Sequence, residues 1–386
     1  MHICFVEDTH LHGGTQIWVT EASRHFLGRG AEVTVLAPRG SWVAEQCGQV
    51  GARVVTYHWD GVVSQDERHT RIWTDALREC NVAVCTVHPP REGFHGSVFA
   101  ARCIREGGLK THFIAKTGTI VPAYRREFYL PDEAIRSSVI AIADFTRRYL
   151  IDTYRIPEDL VTLIYQGTDV RRFKSNDKVR AEAGRRYPLP ENADPILGCV
   201  GTFERRKGQA VLFEAVAALA AGLLPDVHLM LVGDGPDEGA LREKVRTMGL
   251  EKHVSFFSFT REPQYVFERL DATVLPSLYK EGLPNVLLES LAMGVPVVSS
   301  NLGGIAEVVL EGETGYKVEP GDSGQLARTI HRLWANQAAY RRMRERGRRL
   351  MGKKFDKEVQ FERFSDYLKG CIMRLKLIGD KASPTV

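Results

Sequence analysis

The feature that most restricts how this chain can fold is a regular alternation of short apolar runs with longer segments of helical period. The runs 2–6, 32–37, 52–58, 82–87, 111–116, 138–143 and 160–165 are strand-like and largely apolar, and segments of helical pattern at 16–28, 66–80, 94–106 and 145–154 fall between them. Runs this continuously apolar belong to strands covered on both faces, the condition of a parallel sheet flanked by helices. Strict alternation therefore predicts an α/β, doubly wound parallel-sheet fold. A polar, basic, proline-bearing stretch follows over 170–195, and then a second series of runs begins, at 196–200, 227–232, 254–259, 272–276, 295–300 and 315–319. The expectation is two domains of one architecture, 1–169 and 196–355, joined by a hinge and linker at 170–195. No residue-level repeat relates the halves.

A length of 386 residues is enough for two separate cores. The chain is 44% hydrophobic and 26% charged, as ordinary globular proteins are, and its net charge of +4 is too small to point to nucleic acid. The seven cysteines (4, 47, 80, 85, 103, 199 and 371) form no C-x-x-C pair, and most lie in apolar runs. Buried free thiols in a reducing compartment are expected. The chain opens directly on a strand-like run, so no leader is expected, and no apolar stretch is long enough to span a bilayer. A cytoplasmic location follows, with peripheral contact at the inner membrane face as the alternative.

In open parallel sheets ligands bind beyond the carboxyl ends of the strands. The loops at those ends are where chemistry is expected. After the run at 272–276 comes Lys280-Glu281-Gly282-Leu283-Pro284-Asn285-Val286-Leu287-Leu288-Glu289, followed by an apolar helix pattern and a Gly-Val-Pro turn. Gly282 lets the backbone approach a ligand, and Pro284 suits the first turn of a helix whose free N–H groups would favour an anion. Glu289 lies just over a turn in, on the stripe of Asn285 and Met293. A carboxylate among apolar neighbours needs hydrogen-bond donors, and ribose hydroxyls supply them. The plainer alternative is a loop glutamate and a glutamate on the polar flank of an amphipathic helix.

Four other features share the strand-end position. Gly13-Gly14 follows the first run at a strand-to-helix turn, where backbone N–H can meet a phosphate. His88 ends the run at 82–87, placed either for substrate or for a structural hydrogen bond. Arg205-Arg206-Lys207-Gly208 follows the run at 196–200; the arginine fork and the lysine point charge suit a diphosphate, although a solvated basic turn has the same look. Gly233 sits in a second glycine-rich turn, Val232-Gly233-Asp234-Gly235-Pro236. No G-x-G-x-x-G is present, which argues against a dinucleotide enzyme. The segment 341–354 holds eight basic residues and one acidic. It reads first as a solvated helix face, and alternatively as a contact for an anionic membrane surface or polyanionic acceptor. An amphipathic pattern covers 356–376, and 379–386 reads as a disordered tail.

With these pieces in place, the chain resembles family 4 glycosyltransferases of the GT-B fold, nearly end to end. The strongest element is E-x7-E, Glu281 to Glu289, with Leu-Glu-Ser-Leu-Ala-Met-Gly-Val-Pro-Val-Val behind it. Gly303-Gly304-Ile305-Ala306-Glu307, Gly315-Tyr316-Lys317-Val318-Glu319-Pro320-Gly321-Asp322, Lys207-Gly208 and Val232-Gly233-Asp234-Gly235-Pro236 follow the family's order and spacing. The resemblance implies two Rossmann-like domains facing a central cleft. It implies retaining transfer of a hexose-type sugar from a nucleotide diphosphate donor, UDP by default and GDP as the alternative, with no metal and no further cofactor. Glu281 would contact the donor sugar, Glu289 the ribose, and the backbone of Gly282, Leu283, Pro284, Asn285 and Val286 the sugar and phosphate. Arg205 or Arg206, with Lys207, would bind the diphosphate, and Gly14 would offer its N–H to the distal phosphate. His88 matches the family's histidine near donor and acceptor. The catalytic set implied is Glu281, His88, Lys207 and Arg206. The helix 356–376 would cross back onto the first domain. The acceptor would be a saccharide or lipid-linked precursor of a cell-surface polysaccharide.

This chain departs from the family at Thr202, where many members carry Arg; at Gln166-Gly167-Thr168-Asp169, in place of Asn-Gly-Val-Asp; and at Thr117-Gly118, in place of His-Gly. These departures leave the acceptor open. Two other readings keep the fold: a GT-B nucleotide-sugar epimerase or phosphorylase, and a non-catalytic nucleotide-sugar-binding protein.

Overall fold

The computed structural model describes residues 1–10, 13–64, 66–88, 95–118 and 125–379, with side chains through residue 373. The chain divides into two compact units. One is Met1–Tyr165 together with the C-terminal helix from Gln360; the other is Gln166–Val359.

The first unit holds β1 (His2–Val6), β2 (Glu32–Pro38), β3 (Arg53–Tyr57), β4 (Val82–Thr86), β5 (His112–Lys116), β6 (Ser137–Ala141) and β7 (Val161–Leu163). They form one parallel sheet in the order β3-β2-β1-β4-β5-β6-β7. Side chains of a strand alternate between faces, and β1 shows the consequence. Ile3 and Phe5 enter a core with Trp18, Phe26 and Val84, while Cys4 and Val6 enter another with Trp73, Phe99 and Cys85. Both faces are covered, which is why the strand reads as one continuous apolar run.

The second unit holds β8 (Ile196–Val200), β9 (His228–Val232), β10 (Val254–Phe257), β11 (Ala272–Leu275), β12 (Val297–Ser300) and β13 (Gly315–Val318). This sheet too is wholly parallel, in the order β10-β9-β8-β11-β12-β13. In each sheet the strand order reverses once, between β1 and β4 and between β8 and β11. Connections leave these strand pairs in opposite directions, so the loops beyond them part and open a crevice at the carboxyl edge. All seven cysteines are buried free thiols.

Three expectations need correction. The stretch 170–195 is not simply a linker: it contains the helix Asp177–Arg186, capped by Asn176, whose side chain accepts from Val179 N–H at 3.0 Å. Phe173, Val179, Ala183 and Tyr187 are buried, with Phe173 against Phe267 and Tyr187 against Phe257. Its polar composition hides a narrow apolar stripe, and it belongs to the second unit. The C-terminal helix runs Lys357–Gly379, beyond the expected 376, so Gly379 is helical; the remaining tail, 380–386, lies outside the described residues. From Gln360 that helix is part of the first unit, where Phe364 meets Trp18 edge-on at 5.4 Å and Phe361 packs at a tilt against His25 at 4.8 Å. Within the second unit, Thr168 N–H donates to Phe355 C=O at 2.8 Å and Lys357 N–H to Thr168 C=O at 2.9 Å.

Candidate active site

The second unit gathers its charged groups at the end of β11. Glu281 is 7% exposed. Its Oε1 accepts from Ser277 Oγ at 2.6 Å, Lys207 Nζ at 2.8 Å and Arg206 Nη1 at 3.2 Å. One carboxylate oxygen thus collects three donors, two of them cationic, which is how a buried charge is kept. Arg206 also donates to Lys280 C=O at 3.0 Å and to Glu204 at 2.5 Å. The first of these bonds clamps a strained residue: Lys280 has φ 59°, a conformation that costs a residue with a Cβ about 1–2 kcal/mol. Arg205 is exposed, so of the two arginines the geometry draws in Arg206.

Two glycines make this cluster sterically feasible. Gly208, at φ 70°, follows Lys207, and a Cβ there would lie 2.0 Å from Pro276 C=O. Gly303, at φ 54°, opens a turn whose hypothetical Cβ would lie 2.0 Å from Glu281 C=O, and Gly304 N–H donates to Gly282 C=O at 2.8 Å. The 303–307 turn therefore braces the loop that carries Glu281.

The helix Asn285–Met293 starts directly after this loop, with Pro284 as its N-cap, no side-chain cap and no acidic residue in its first turn. Its positive end is not neutralised there, and orphan N–H groups at such an end receive anions. At the other end Arg348 donates to Met293 C=O at 3.3 Å, a cation where the dipole is negative. Asn285 and Val286 occupy the first turn, and Gly282, Leu283 and Pro284 form the approach to it. Glu289 is partly buried one turn on, on the face of Asn285. Gly233 directly follows β9, donating its N–H to Phe257 C=O at 3.0 Å, beside the 201–203 backbone.

In the first unit the charged groups meet where β1 and β4 end. Glu7, fully buried, accepts on Oε2 from Gln16 Nε2 at 2.9 Å and lies 3.0 Å from His88 Nε2. Asp8 accepts from Gly96 N–H at 2.8 Å, and burial pushes its carboxyl up. Lys116, 3% exposed, stands 4.1 Å over the Trp18 ring, and burial lowers it to about 8. Gly14 is the first residue of the helix Gly14–Gly28, which has no side-chain cap and no acid in its first turn. Thr117 is wholly buried and structural, its Oγ1 accepting from Ile142 N–H at 3.1 Å.

Two stretches of the chain match family models: residues 12–172 the Glycosyltransferase Family 4 model, and residues 182–350 the model of Glycosyl transferases group 1. The chain belongs to glycosyltransferase family 4. Among relatives, it is 32% identical over 190 residues to the lipopolysaccharide core biosynthesis glycosyltransferase LpsE of Rhizobium meliloti, covering 49% of this chain and 54% of that protein. It is 29% identical over 202 residues to N-acetyl-alpha-D-glucosaminyl L-malate synthase of Bacillus anthracis, covering 52% and 51%. The matched region spans about half the length of these relatives. The fold matches HepE of Anabaena, crystallised with UDP, at TM-score 0.82 and 19% identity over 96% of this chain and all of that one. This family 4 chain therefore has the GT-B fold.

Reading the sequence missed Ser277, Glu204, Glu7, Asp8, Gln16 and Lys116 as members of these clusters. Ser277 had one usable signal, a small hydroxyl one residue past the strand-end Pro276. The Glu7-Asp8 pair had another, two acids closing an apolar strand. Gln16 and Lys116 had none, since only the strand order brings them to Glu7 and the Trp18 ring.

Proposed function

We propose that this chain is a retaining glycosyltransferase that moves a hexose-type sugar from a nucleotide diphosphate sugar, UDP-linked by preference, to a hydroxyl of a saccharide or lipid-linked acceptor. The observation that carries the reading is the cluster of Lys207, Arg206 and Glu281 beside the uncapped start of the helix Asn285–Met293. Breaking the bond from sugar to diphosphate leaves negative charge on the diphosphate. Lys207 has three N–H donors and Arg206 five, so each can hold Glu281 and still donate to a phosphate oxygen. Fixed donors aimed at developing charge lower the barrier by about 3–4 kcal/mol each. Lys207 and Arg206 take the charge role that a metal would otherwise fill. Glu281 orients the two cations and offers its carboxylate to the donor sugar. Glu289 receives the ribose hydroxyls.

No side chain in the cluster is placed as a free nucleophile: Glu281 is held by three donors on one oxygen. Same-face displacement is the mechanism this favours, with the departing phosphate taking the acceptor proton. A relative named for lipopolysaccharide core biosynthesis supports a cell-surface glycan acceptor. The test is thermal stabilisation by UDP, GDP and their sugars, in the parent and in Glu289→Ala and Lys207→Ala, since a ligand of the folded state raises its melting temperature. A shift with one nucleotide that both variants lose, together with slow donor hydrolysis unaffected by chelator, is expected. Binding without turnover would favour a non-catalytic nucleotide-sugar binder, and a trapped glycosyl-enzyme would overturn same-face displacement.

A further inference from the structure

The first unit's switch point carries a buried charge cluster in which His88, expected near donor and acceptor, meets groups that have no role so far. Glu7 and His88 lie 81 residues apart in sequence, yet the pairing of β1 with β4 brings His88 Nε2 within 3.0 Å of Glu7 Oε2. Gln16 Nε2 donates to the same oxygen at 2.9 Å and stands 3.4 Å from His88 Nε2. Two nitrogens converge on one carboxylate oxygen, an acceptor, so the imidazole proton belongs on Nε2. The Glu7 main chain is held as well. Glu7 N–H donates to Leu36 C=O at 2.9 Å, and Tyr57 O–H donates to Glu7 C=O at 2.7 Å.

We infer that Glu7 is a positioning residue of the proposed reaction: it fixes the His88 ring and keeps it an imidazolium, so that His88 meets substrate as a cationic hydrogen-bond donor and not as a base. This rests on the reading under Proposed function. The role suits a group that meets an anionic part of a substrate, because a protonated ring stabilises anions and a neutral one does not. Among the described residues, the charged and titratable groups around His88 come from every side. Glu7 and Asp8 stand at the end of β1, Lys116 at the end of β5, and His95 Nε2 donates to His88 C=O at 2.9 Å. Burial opposes the charge, and Lys116 opposes it too; Glu7 first and Asp8 second outweigh both, pushing His88 up to about 9.

The test is a proton-by-proton titration of the full-length protein with isotope-labelled histidine, His88 being assigned by its loss in His88→Asn. In the parent, His88 should titrate well above the free-imidazole value near 6.5. Glu7→Gln should lower that titration by about two pH units, Glu7→Asp should restore part of it, and Lys116→Met should move it upward. The alkaline limb of kcat/KM should follow the same order. A His88 neutral at pH 7, a titration unmoved by Glu7→Gln, or an alkaline limb that ignores all three variants overturns the inference. If Glu7→Gln does not fold, the parent titration and Lys116→Met decide. Failure of the parent to bind any nucleotide would sink the transferase reading instead, and is read separately.

Discussion

Lys207 Nζ lies 2.8 Å from Glu281 Oε1 across 74 residues of sequence, joining the loop after β8 to the loop after β11. The side chains are 15% and 4% exposed. In so dry a place each group depends on the other, and on Ser277 and Arg206, for the bonds that water would have made. Lys207→Met and Glu281→Gln should each destabilise the protein by about 1–3 kcal/mol. The double variant should recover about 1–2 kcal/mol of that sum, because the second loss removes a group already stranded. Urea unfolding of the four proteins gives the cycle. Costs that simply add would mean the pair is a contact without coupling.

The neighbouring arginines should separate cleanly. Arg206 is bonded to Glu281, Lys280 C=O and Glu204, whereas Arg205 points into solvent. Arg206→Ala should lower kcat/KM for transfer by about 100-fold, as loss of one fixed charge donor does, and Arg205→Ala should change it by no more than about threefold. Steady-state kinetics with the nucleotide sugar that binds would decide, and a reversed order would transfer the diphosphate role to Arg205.

How much of this could be read from the chain alone depends on which property carries the information. Strand identity was legible because burial on both faces writes itself as an unbroken run, as in Val82-Ala83-Val84-Cys85. The helix start at Asn285 was legible because Pro284 marks it. Glu281 and Lys207 were legible as site candidates from their strand-end positions, but their contact was not, since it depends on β8 lying next to β11. The helix Asp177–Arg186 was obscured because two small apolar residues, Val179 and Ala183, carry its buried stripe amid charges. The basic run at 341–354 also divides only in three dimensions. Arg344 donates to Tyr340 Oη and is half-buried, Arg348 reaches Met293 C=O from an exposed position, and Arg341, Arg342 and Arg349 are exposed.

Asp8 gives a pH-dependent stability with a defined sign. Its pKa in the fold is raised, with burial as the main cause and Glu7 a lesser one, against the lowering pull of His88 and the Gly96 N–H. An acid whose folded pKa lies above its unfolded value binds more protons folded than unfolded between the two. Its contribution to stability is therefore lost as pH rises through the folded pKa. Asp8→Asn carries no such charge. The stability of the variant relative to the parent should rise from pH 4 to pH 7, whatever the fixed cost of the new amide. Chemical denaturation at the two pH values measures it, and a relative stability that falls or stays flat would show Asp8 to be well solvated in solution.

The Gly303 turn offers the sharpest test that the fold is shaped around Glu281. Gly303 has φ 54° and Gly312 has φ 70°, so alanine meets the same left-handed penalty at both, about 1–2 kcal/mol. Their surroundings differ. A Cβ at Gly312 has nothing within 4 Å, whereas one at Gly303 would lie 2.0 Å from Glu281 C=O and must push that backbone away. Gly303→Ala should therefore cost about 2–3 kcal/mol, and Gly312→Ala only its backbone term. The activities should diverge further than the stabilities. A displacement of about 1 Å in a group that orients the reaction lowers rate by about 100-fold, and Glu281 would carry Lys207 and Arg206 with it through its Oε1. Transfer rates of the two variants at a temperature where both are folded make the comparison. Equal rates would mean that the turn supports the fold without aiming Glu281.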